Sequence, residues 1–277
     1  MLWVPGGGGE YSIVSNTEIV GTSAPGTNVP DGASVNTYGT VTELISAANN
    51  VRDSWGIWIF PSINTNPSAT AGQACLDILV GGATDDVLVS GLLIGGAYST
   101  ATRAFFFPVH IPAGLRIAAQ ISAGTAQTTE ASVVVNLYGG GIPPFRVGRK
   151  VTTYGTKIDN SRGQAVTPTA SGGTASVTQM TASTTEDHFY FLPSFQVSVD
   201  TTIATATYNN IGIGVGASTE ERIGTWWFGK SADERQSGPF PQLGVFRNVP
   251  SGTRLTMLAS NGSTNDSNYD GLIHAVS

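Results

Sequence analysis

A seven-residue pattern that occurs twice constrains this chain more than any other feature. Residues 111–117 read Ile-Pro-Ala-Gly-Leu-Arg-Ile, and residues 249–255 read Val-Pro-Ser-Gly-Thr-Arg-Leu. A pattern that returns at a distance indicates that one structural unit is used twice, provided that the flanking segments also repeat. The polar and turn-forming positions shared by the copies are Pro112, Gly114 and Arg116 in the first and Pro250, Gly252 and Arg254 in the second.

Four further segments repeat in the same order. They include an aromatic segment ended by Pro-Ser and an apolar segment followed by a Gly-rich turn and two acids. The matched ranges are 41–47 with 177–183, 55–62 with 187–194, 79–86 with 214–221 and 92–95 with 226–229. All five matches have offsets between 132 and 138 residues. Five ordered matches near one offset predict an internal duplication.

The composition predicts that each copy is built of β-strands. Only 12% of the residues are charged, while the chain contains 35 Gly and 14 Pro. Much of the remainder is Thr, Ser, Ala, Val and Asn, which suits short strands joined by turns. Seven or eight short strands per copy are typical of a sandwich. We therefore expect an all-β chain of two tandem jelly-roll-like β-sandwich domains.

The domain boundaries follow from the repeat. We expect an extended N-terminal arm over 1–36, a first domain over 37–140, a linker over 141–153 and a second domain over 154–277. Residues 154–174 match nothing in the first copy and are expected to form a long loop or an extra edge strand. The arm carries apolar anchors, which we expect to pack on its own domain or on a neighbouring subunit. These anchors are Leu2, Trp3, Tyr11 and Ile13.

Residues 41–53 leave a choice between helix and strand. Thr40-Val-Thr-Glu43 resembles a helix capping box, and the apolar spacing that follows also fits a helix. The repeated segment 177–183, however, is rich in β-branched residues and lacks helical spacing. Because both copies should share one structure, a strand is the preferred interpretation.

The repeated Pro-x-Gly-x-Arg pattern is interpreted as the entrance to a strand. Pro cannot donate a hydrogen bond to a sheet, and Gly permits the positive φ of a type II turn. We expect each Arg to meet a carboxylate from the paired acids of its own copy, Asp85-Asp86 or Glu220-Glu221. The alternative is that Arg116 and Arg254 contact a ligand.

The remaining chemistry predicts a protein that is not an enzyme and has no cofactor or metal. The three His residues are dispersed, and Cys75 stands alone in an apolar alternation, where we expect it to be buried. The paired acids could serve a glycosidase, and residues 265–270 could hold calcium, but solvated acids and a hairpin loop are preferred. A net charge of −6 argues against nucleic acid, and no apolar run is long enough to span a membrane.

Trp226-Trp227-Phe228 is the segment most like a binding site. Successive residues of a strand face opposite ways, so one Trp is expected in the core and the other at the surface. An exposed Trp can anchor a subunit contact or stack on a sugar ring. The first copy has Leu92-Leu93 at these positions, so only the second copy carries the large aromatic side chains.

The chain resembles jelly-roll virion accessory proteins of tailed bacteriophages and gene transfer agents. The resemblance rests on residues 41–47, the aromatic strand that follows, and the Ile-Pro-x-Gly-x-Arg-Ile segment leading to residues 133–138. It implies a head decoration, head spike or fibre, or tail accessory protein. It supplies no catalytic residue.

The resemblance also sets expectations about partners and location. Such proteins often assemble as trimers, and some bind glycans of the host surface. We therefore expect a homo-oligomer, most simply a trimer, located in the virion and in contact with other virion proteins such as the major capsid protein. A glycan-binding adhesin or tail receptor-binding protein is the alternative, whereas nucleic acid and membrane are not expected partners.

Overall fold

The structure is a computed structural model in which every described element is a strand, a turn or a loop. The described residues are 17–20, 26–65, 74–82, 84–94, 103–124, 129–139, 143, 145–155, 163–170, 172–197, 207–216, 220–230, 241–242, 244–262 and 269–277. Among them, no helix is present that could cross a membrane.

The described residues of the first half of the chain form nine strands in two antiparallel sheets. These strands are β1 (Thr17–Val20), β2 (Thr27–Pro30), β3 (Thr42–Ile45), β4 (Ser54–Thr65), β5 (Ala74–Gly81), β6 (Asp85–Leu93), β7 (Ala104–Phe107), β8 (Arg116–Ala123) and β9 (Thr129–Gly139). In sheet I the order is β1–β9–β4–β7, with β2 also paired to β9. Sheet II has the order β3–β8–β5–β6.

The second half repeats this arrangement strand for strand and adds one short strand. Its strands are β10 (Val151–Tyr154), β11 (Gln164–Val166), β12 (Ser176–Thr181), β13 (His188–Val197), β14 (Thr207–Val215), β15 (Glu221–Lys230), β16 (Pro241–Gln242), β17 (Val245–Val249), β18 (Leu255–Asn261) and β19 (Tyr269–Val276). Sheet III has the order β10–β19–β13–β17, with β11 also on β19, and sheet IV has the order β12–β18–β14–β15. The all-β tandem fold expected from the sequence is confirmed.

The additional strand β16 joins the two halves. It pairs in parallel with β7, so Pro241 lies beside Ala104 and Gln242 beside Phe105. Sheet I therefore ends on a strand that the second domain supplies.

Alternating side chains fill the space between the sheets of each domain. In β4, Ile57 and Ile59 are fully buried, and in β5 Leu76 and Ile78 face them from the other sheet. The second domain uses larger side chains for its core, including Phe191 from β13. This pattern is the inward alternation expected of a β-sandwich.

The prediction of a strand rather than a helix near residue 41 is confirmed. Residues 42–45 form β3, which pairs with β8, and turns follow at 47–49. The matching strand β12 pairs with β18 in the same place. A strand forms here because the backbone donors and acceptors along this side of β8 would otherwise be unpaired.

The structure corrects the predicted N-terminal arm of 1–36. Residues 17–20 and 27–30 are strands on β9, and Val29 is completely buried. Without them, that side of β9 would leave its backbone groups unpaired, so these residues belong to the first domain. Residues 1–16 lie outside the described part of the chain, and with them all four predicted anchors: Leu2, Trp3, Tyr11 and Ile13.

The predicted start of the second domain is also corrected. Strand β10 crosses the boundary drawn at residue 154, and β11 lies inside 154–174, which was predicted to be peculiar to the second copy. Both strands pair with β19, as β1 and β2 pair with β9. They are therefore the counterparts of the N-terminal strands, which the sequence had left outside the repeat.

The hydrogen bonds correct one offset of the repeat by two residues. Gly56 pairs with Tyr138, and Tyr190 pairs with Val276 in the other domain. The aromatic strands therefore match at an offset of 134 residues rather than the 132 indicated by their Pro-Ser ends. A shift of two residues keeps every side chain on its predicted face, because the period of a strand is two.

The two domains share an apolar contact. Phe189, Tyr190, Leu192 and Val276 from the outer face of sheet III belong to the same core cluster as the interior of the first domain. The Arg103 side chain is buried there and donates to the backbone oxygens of Leu93 and Phe195. Burial lowers its pKa to about 10, so the guanidinium remains charged at neutral pH.

His274 lies in this contact and is completely buried. Its Nδ1 is 3.0 Å from Thr153 Oγ1, whose hydroxyl donates to the Ser90 carbonyl at 2.9 Å. The ring must therefore donate from Nδ1, which makes Nδ1–H the neutral tautomer. Phe107 packs edge-on against the ring, and burial lowers the pKa of His274 to about 3.

This environment predicts that His274 makes stability depend on pH. The unfolded chain binds a proton at His274 below about pH 6.5, but the folded chain does not until about pH 3. The stability contributed by the neutral ring is thus complete above pH 6.5 and is lost as the pH falls toward 3. Urea unfolding at successive pH values gives the free energy of unfolding as a function of pH. Between about pH 3 and 6.5, the rise of this free energy with pH should be smaller in His274→Asn than in the unaltered protein, by up to about 1.4 kcal/mol per pH unit. An unchanged slope would contradict the assignment.

Candidate functional site

The segment Trp226-Trp227-Phe228 lies on β15, an edge strand of sheet IV. The predicted alternation is present: Trp226 packs on the core of the second domain, whereas 61% of Trp227 is exposed. Phe228, the third residue of the predicted interface or glycan-contact segment, is buried and packs on Phe195. Within this segment, Trp227 is the one aromatic side chain that is mostly exposed to solvent.

Trp227 has an aromatic neighbour that the sequence did not indicate. The register places Trp227 opposite Asn210, and Tyr208 lies two residues from Asn210 on the same face of β14. The side chain of Tyr208 is 69% exposed. Two exposed aromatic side chains therefore lie diagonally across neighbouring strands, within the reach typical of such pairs. The alternation of side chains along β14 places Tyr208 on the same face as Asn210. Only the pairing of β14 with β15 shows that this face also carries Trp227.

The two Pro-x-Gly-x-Arg segments are strand entrances, as the sequence predicted for them. Arg116 forms an ion pair with Asp85, and Arg254 forms the equivalent ion pair with Glu220. In each copy the Gly has positive φ, 77° at Gly114 and 81° at Gly252. The first acid of each pair is thus engaged with its Arg.

A further acid supports each of these turns. The backbone N–H of Ala113 donates to Asp53 at 2.8 Å, and that of Ser251 donates to Asp187 at 2.7 Å. The bond from Ala113 is the main cause that holds the pKa of Asp53 below its usual value. These contacts assign Pro112, Gly114, Pro250 and Gly252 to the scaffold of the two domains.

An open cleft near the linker contains the other notable group of polar side chains. Arg52, Asp53, His110 and Arg149 line it, and His110 Nε2 is 3.6 Å from Asp53 Oδ2. Asp53 is the one carboxylate among its described lining residues, whereas glycoside hydrolysis requires two across the scissile bond. In the part of the chain that the structure describes, no group of three His, Cys, Asp or Glu residues could hold a metal.

The first domain contains a buried acid that the sequence did not indicate. Asp77 on β5 accepts hydrogen bonds from the Tyr38 hydroxyl at 3.1 Å, the Gly91 N–H at 2.7 Å and Gln120 Nε2 at 3.1 Å. Burial raises the pKa of Asp77, although these donors oppose the shift. Because its oxygens face donors from three segments of the chain, Asp77 joins those segments rather than facing a cleft.

Cys75 is buried, as the sequence predicted. It lies in a small apolar cluster with Leu93 and Leu272, where the edge of the first domain meets sheet III. The thiol therefore belongs to the contact between the domains.

Comparison with known proteins gives weak similarities only. No protein-family model matches the chain, and no characterised protein sequence matches it significantly. Among solved structures, it is similar to the CBM22-1–CBM22-2 tandem domain of Xyn10C from Paenibacillus barcinonensis, at 8% identity, a TM-score of 0.30 and coverage of 95% of this chain and 91% of the other. PNGase F, a glycosylasparaginase from Flavobacterium meningosepticum, gives 11% identity, a TM-score of 0.35 and coverage of 95% and 96%.

A viral structure gives a similarity of the same strength. The structure of the Gx strain of infectious bursal disease virus gives 9% identity and a TM-score of 0.25, and the match covers 94% of this chain and 71% of the viral chain. With TM-scores below 0.5, these similarities carry no argument about function. The chain is an all-β protein of two tandem jelly-roll-like domains whose exposed Trp227 and Tyr208 form its candidate interaction surface.

Proposed function

We propose that this protein is a non-enzymatic structural subunit of a bacteriophage virion, where it decorates and stabilises the capsid or forms a head spike. The observation that carries the proposal is the exposed aromatic pair Trp227 and Tyr208 on an otherwise well-packed sandwich. Large aromatic side chains in this position are typical anchors of protein–protein contacts. The scaffold segments resemble those of virion accessory proteins, and this resemblance is the reason for proposing that such contacts form in a virion.

The described chemistry supports a structural rather than a catalytic role. Asp85 and Glu220 are held by Arg116 and Arg254, which leaves these acids engaged in the scaffold. The domains also share a buried apolar contact, which joins the two sandwiches. In this proposal the partners are further copies of the chain, most simply in a trimer, and a neighbouring virion protein such as the major capsid protein.

Immunogold labelling of purified phage particles tests the proposed location. Antibodies raised against the purified protein should decorate the heads at regular positions, and the chain should remain with the particles through density-gradient purification. Labelling confined to the tail would replace the head assignment with the tail accessory role. Absence of the chain from purified particles would overturn the virion proposal.

A second candidate function is binding of a host-surface glycan. Trp227 and Tyr208 lie beside Asn210, and this combination of aromatic faces with a polar amide suits a sugar ring. A glycan array should then give binding that is lost in Trp227→Ala and retained in Val177→Ala, a matched change at an exposed residue on the opposite edge strand of sheet IV. No binding by the unaltered protein would remove this candidate.

A further inference from the structure

The contact between the two domains is built from a strand edge and a sheet face. Leu93, at the end of β6, is fully buried against Cys75 and Leu272. Its backbone N–H donates to Ser194 Oγ at 2.6 Å. The edge of the first domain thus rests on the outer face of sheet III, where Ser194 and Leu272 pair with each other.

Because the domains repeat strand for strand, each half of this contact has an equivalent in the other domain. Leu93 pairs with Cys75 as Trp227 pairs with Asn210, which places Trp227 and Asn210 at the end of the equivalent edge. Ser194 pairs with Leu272 as Phe60 pairs with Val134, which places Phe60 and Val134 on the equivalent face of sheet I. We call these the Trp227 edge, Trp227 with Asn210, and the Phe60 face, Phe60 with Val134.

Burial differs sharply between the used and the unused halves. Leu93, Ser194 and Leu272 are at most 1% exposed, because each half covers the other. In the equivalent positions, Trp227 is 61% exposed, and Phe60 and Val134 are only half-buried. Within the described residues, the chain therefore presents an exposed edge at its second domain and a partly exposed face at its first.

We infer that a second copy of this chain covers these surfaces, with the Trp227 edge of one molecule packed on the Phe60 face of the next. The arrangement repeats between molecules the contact that already joins the domains within each one. The inference deepens the proposed structural role and rests on it, because it specifies how the subunits associate. Such a contact joins two different surfaces, so it either closes into a ring or continues as a chain.

The residues at the two surfaces suit this occupant. Trp227 replaces Leu93, and Phe60 replaces Ser194, so the contact between molecules is aromatic where the contact within the molecule is smaller. Trp58 stacks on Phe60 with ring centroids 5.8 Å apart and extends the apolar face. Buried aromatic clusters of this kind supply much of the binding energy in protein interfaces.

Two single substitutions test the inference in the full chain. Trp227→Glu removes the edge and Phe60→Glu removes the face, so each variant alone should sediment as a 28.6-kDa monomer. The unaltered protein should sediment as an oligomer at about 100 μM, a concentration high enough to populate a weak interface. Mixed in equal amounts, the variants should form a complex of two chains, because each retains the surface that the other lacks. That complex cannot grow further.

The control is Val177→Glu, which changes an exposed residue on β12, at the other edge of the same sheet as Trp227. It should assemble like the unaltered protein. Near-UV circular dichroism checks folding, and Val134→Gln replaces Phe60→Glu if the latter fails to fold.

An unaltered protein that stays monomeric, variants that still assemble, or folded variants that do not combine would each overturn the inference. Binding of a monomeric protein to phage heads would overturn it while leaving the virion proposal intact, whereas absence from particles affects the virion proposal alone.

Discussion

Replacing Tyr190 with alanine is expected to lower the free energy of unfolding by about 3–5 kcal/mol. The ring is 1% exposed and lies where the first domain packs on sheet III. Its hydroxyl donates to the Phe106 carbonyl at 2.8 Å and accepts from the Gly244 N–H at 2.8 Å. The substitution therefore leaves a cavity and two backbone groups without their partner at the contact between the domains.

Tyr190→Phe is the matched control for this prediction. It keeps the ring and removes only the hydroxyl, so the expected loss is about 1–2 kcal/mol. Denaturant unfolding followed by tryptophan fluorescence measures both variants. A loss below about 1 kcal/mol in Tyr190→Ala, against the 3–5 kcal/mol typical of large buried aromatic residues, would show that the domains do not depend on this contact.

Replacing Asp77 with alanine is expected to cost about 3 kcal/mol, because it leaves several donors without an acceptor. The Gly91 N–H is buried and donates to Asp77 Oδ1 at 2.7 Å, and Gln120 Nε2 donates to the other oxygen at 3.1 Å. The alanine side chain offers no acceptor to the buried Gly91 N–H. Thermal and urea unfolding of the variant measure the loss.

Asp77→Asn should be much less harmful and serves as the control. Its Oδ1 can still accept from Gly91 and from the Tyr38 hydroxyl, while its Nδ2 can face Gln120 once that side-chain amide turns its oxygen inward. Equal losses in the alanine and asparagine variants would show that negative charge, rather than hydrogen-bond acceptance, is required at this position.

The sequence was sufficient to predict the fold class and the duplication. Strand alternation and turn residues are local signals, and five ordered matches fixed most of the correspondence between the domains. The pairing of each Arg with an acid of its own copy was also predictable, because both the Pro-x-Gly-x-Arg turn and the acidic turn repeat. The observed pairs are Arg116 with Asp85 and Arg254 with Glu220.

The N-terminal strands were not predictable from the repeat. Strands β1 and β2 have four residues each, and their counterparts β10 and β11 have four and three. Such short strands carry little apolar alternation, and their positions are set by the open side of β9 or β19 rather than by their own residues. Non-local backbone pairing therefore outweighed local sequence preference.

The orientation of the two Trp residues required the structure as well. Alternation predicts that Trp226 and Trp227 face opposite ways but does not say which faces the core. The register between β14 and β15 shifts between Ile213 and Gly214, and this irregularity sets the phase of the strand beyond it. Asp77 and Tyr190 escaped prediction for a related reason, since their partners come from distant segments.

The parallel strand β16 has a consequence for the order in which the chain is made. During synthesis, β7 is exposed as the edge of sheet I until Pro241 and Gln242 have emerged, long after the rest of the first domain is complete. An open strand edge can pair with other nascent chains. The first domain is therefore most vulnerable to misassembly late in translation, and truncation before residue 241 should leave it prone to aggregate even though its described strands, β1 to β9, are all present.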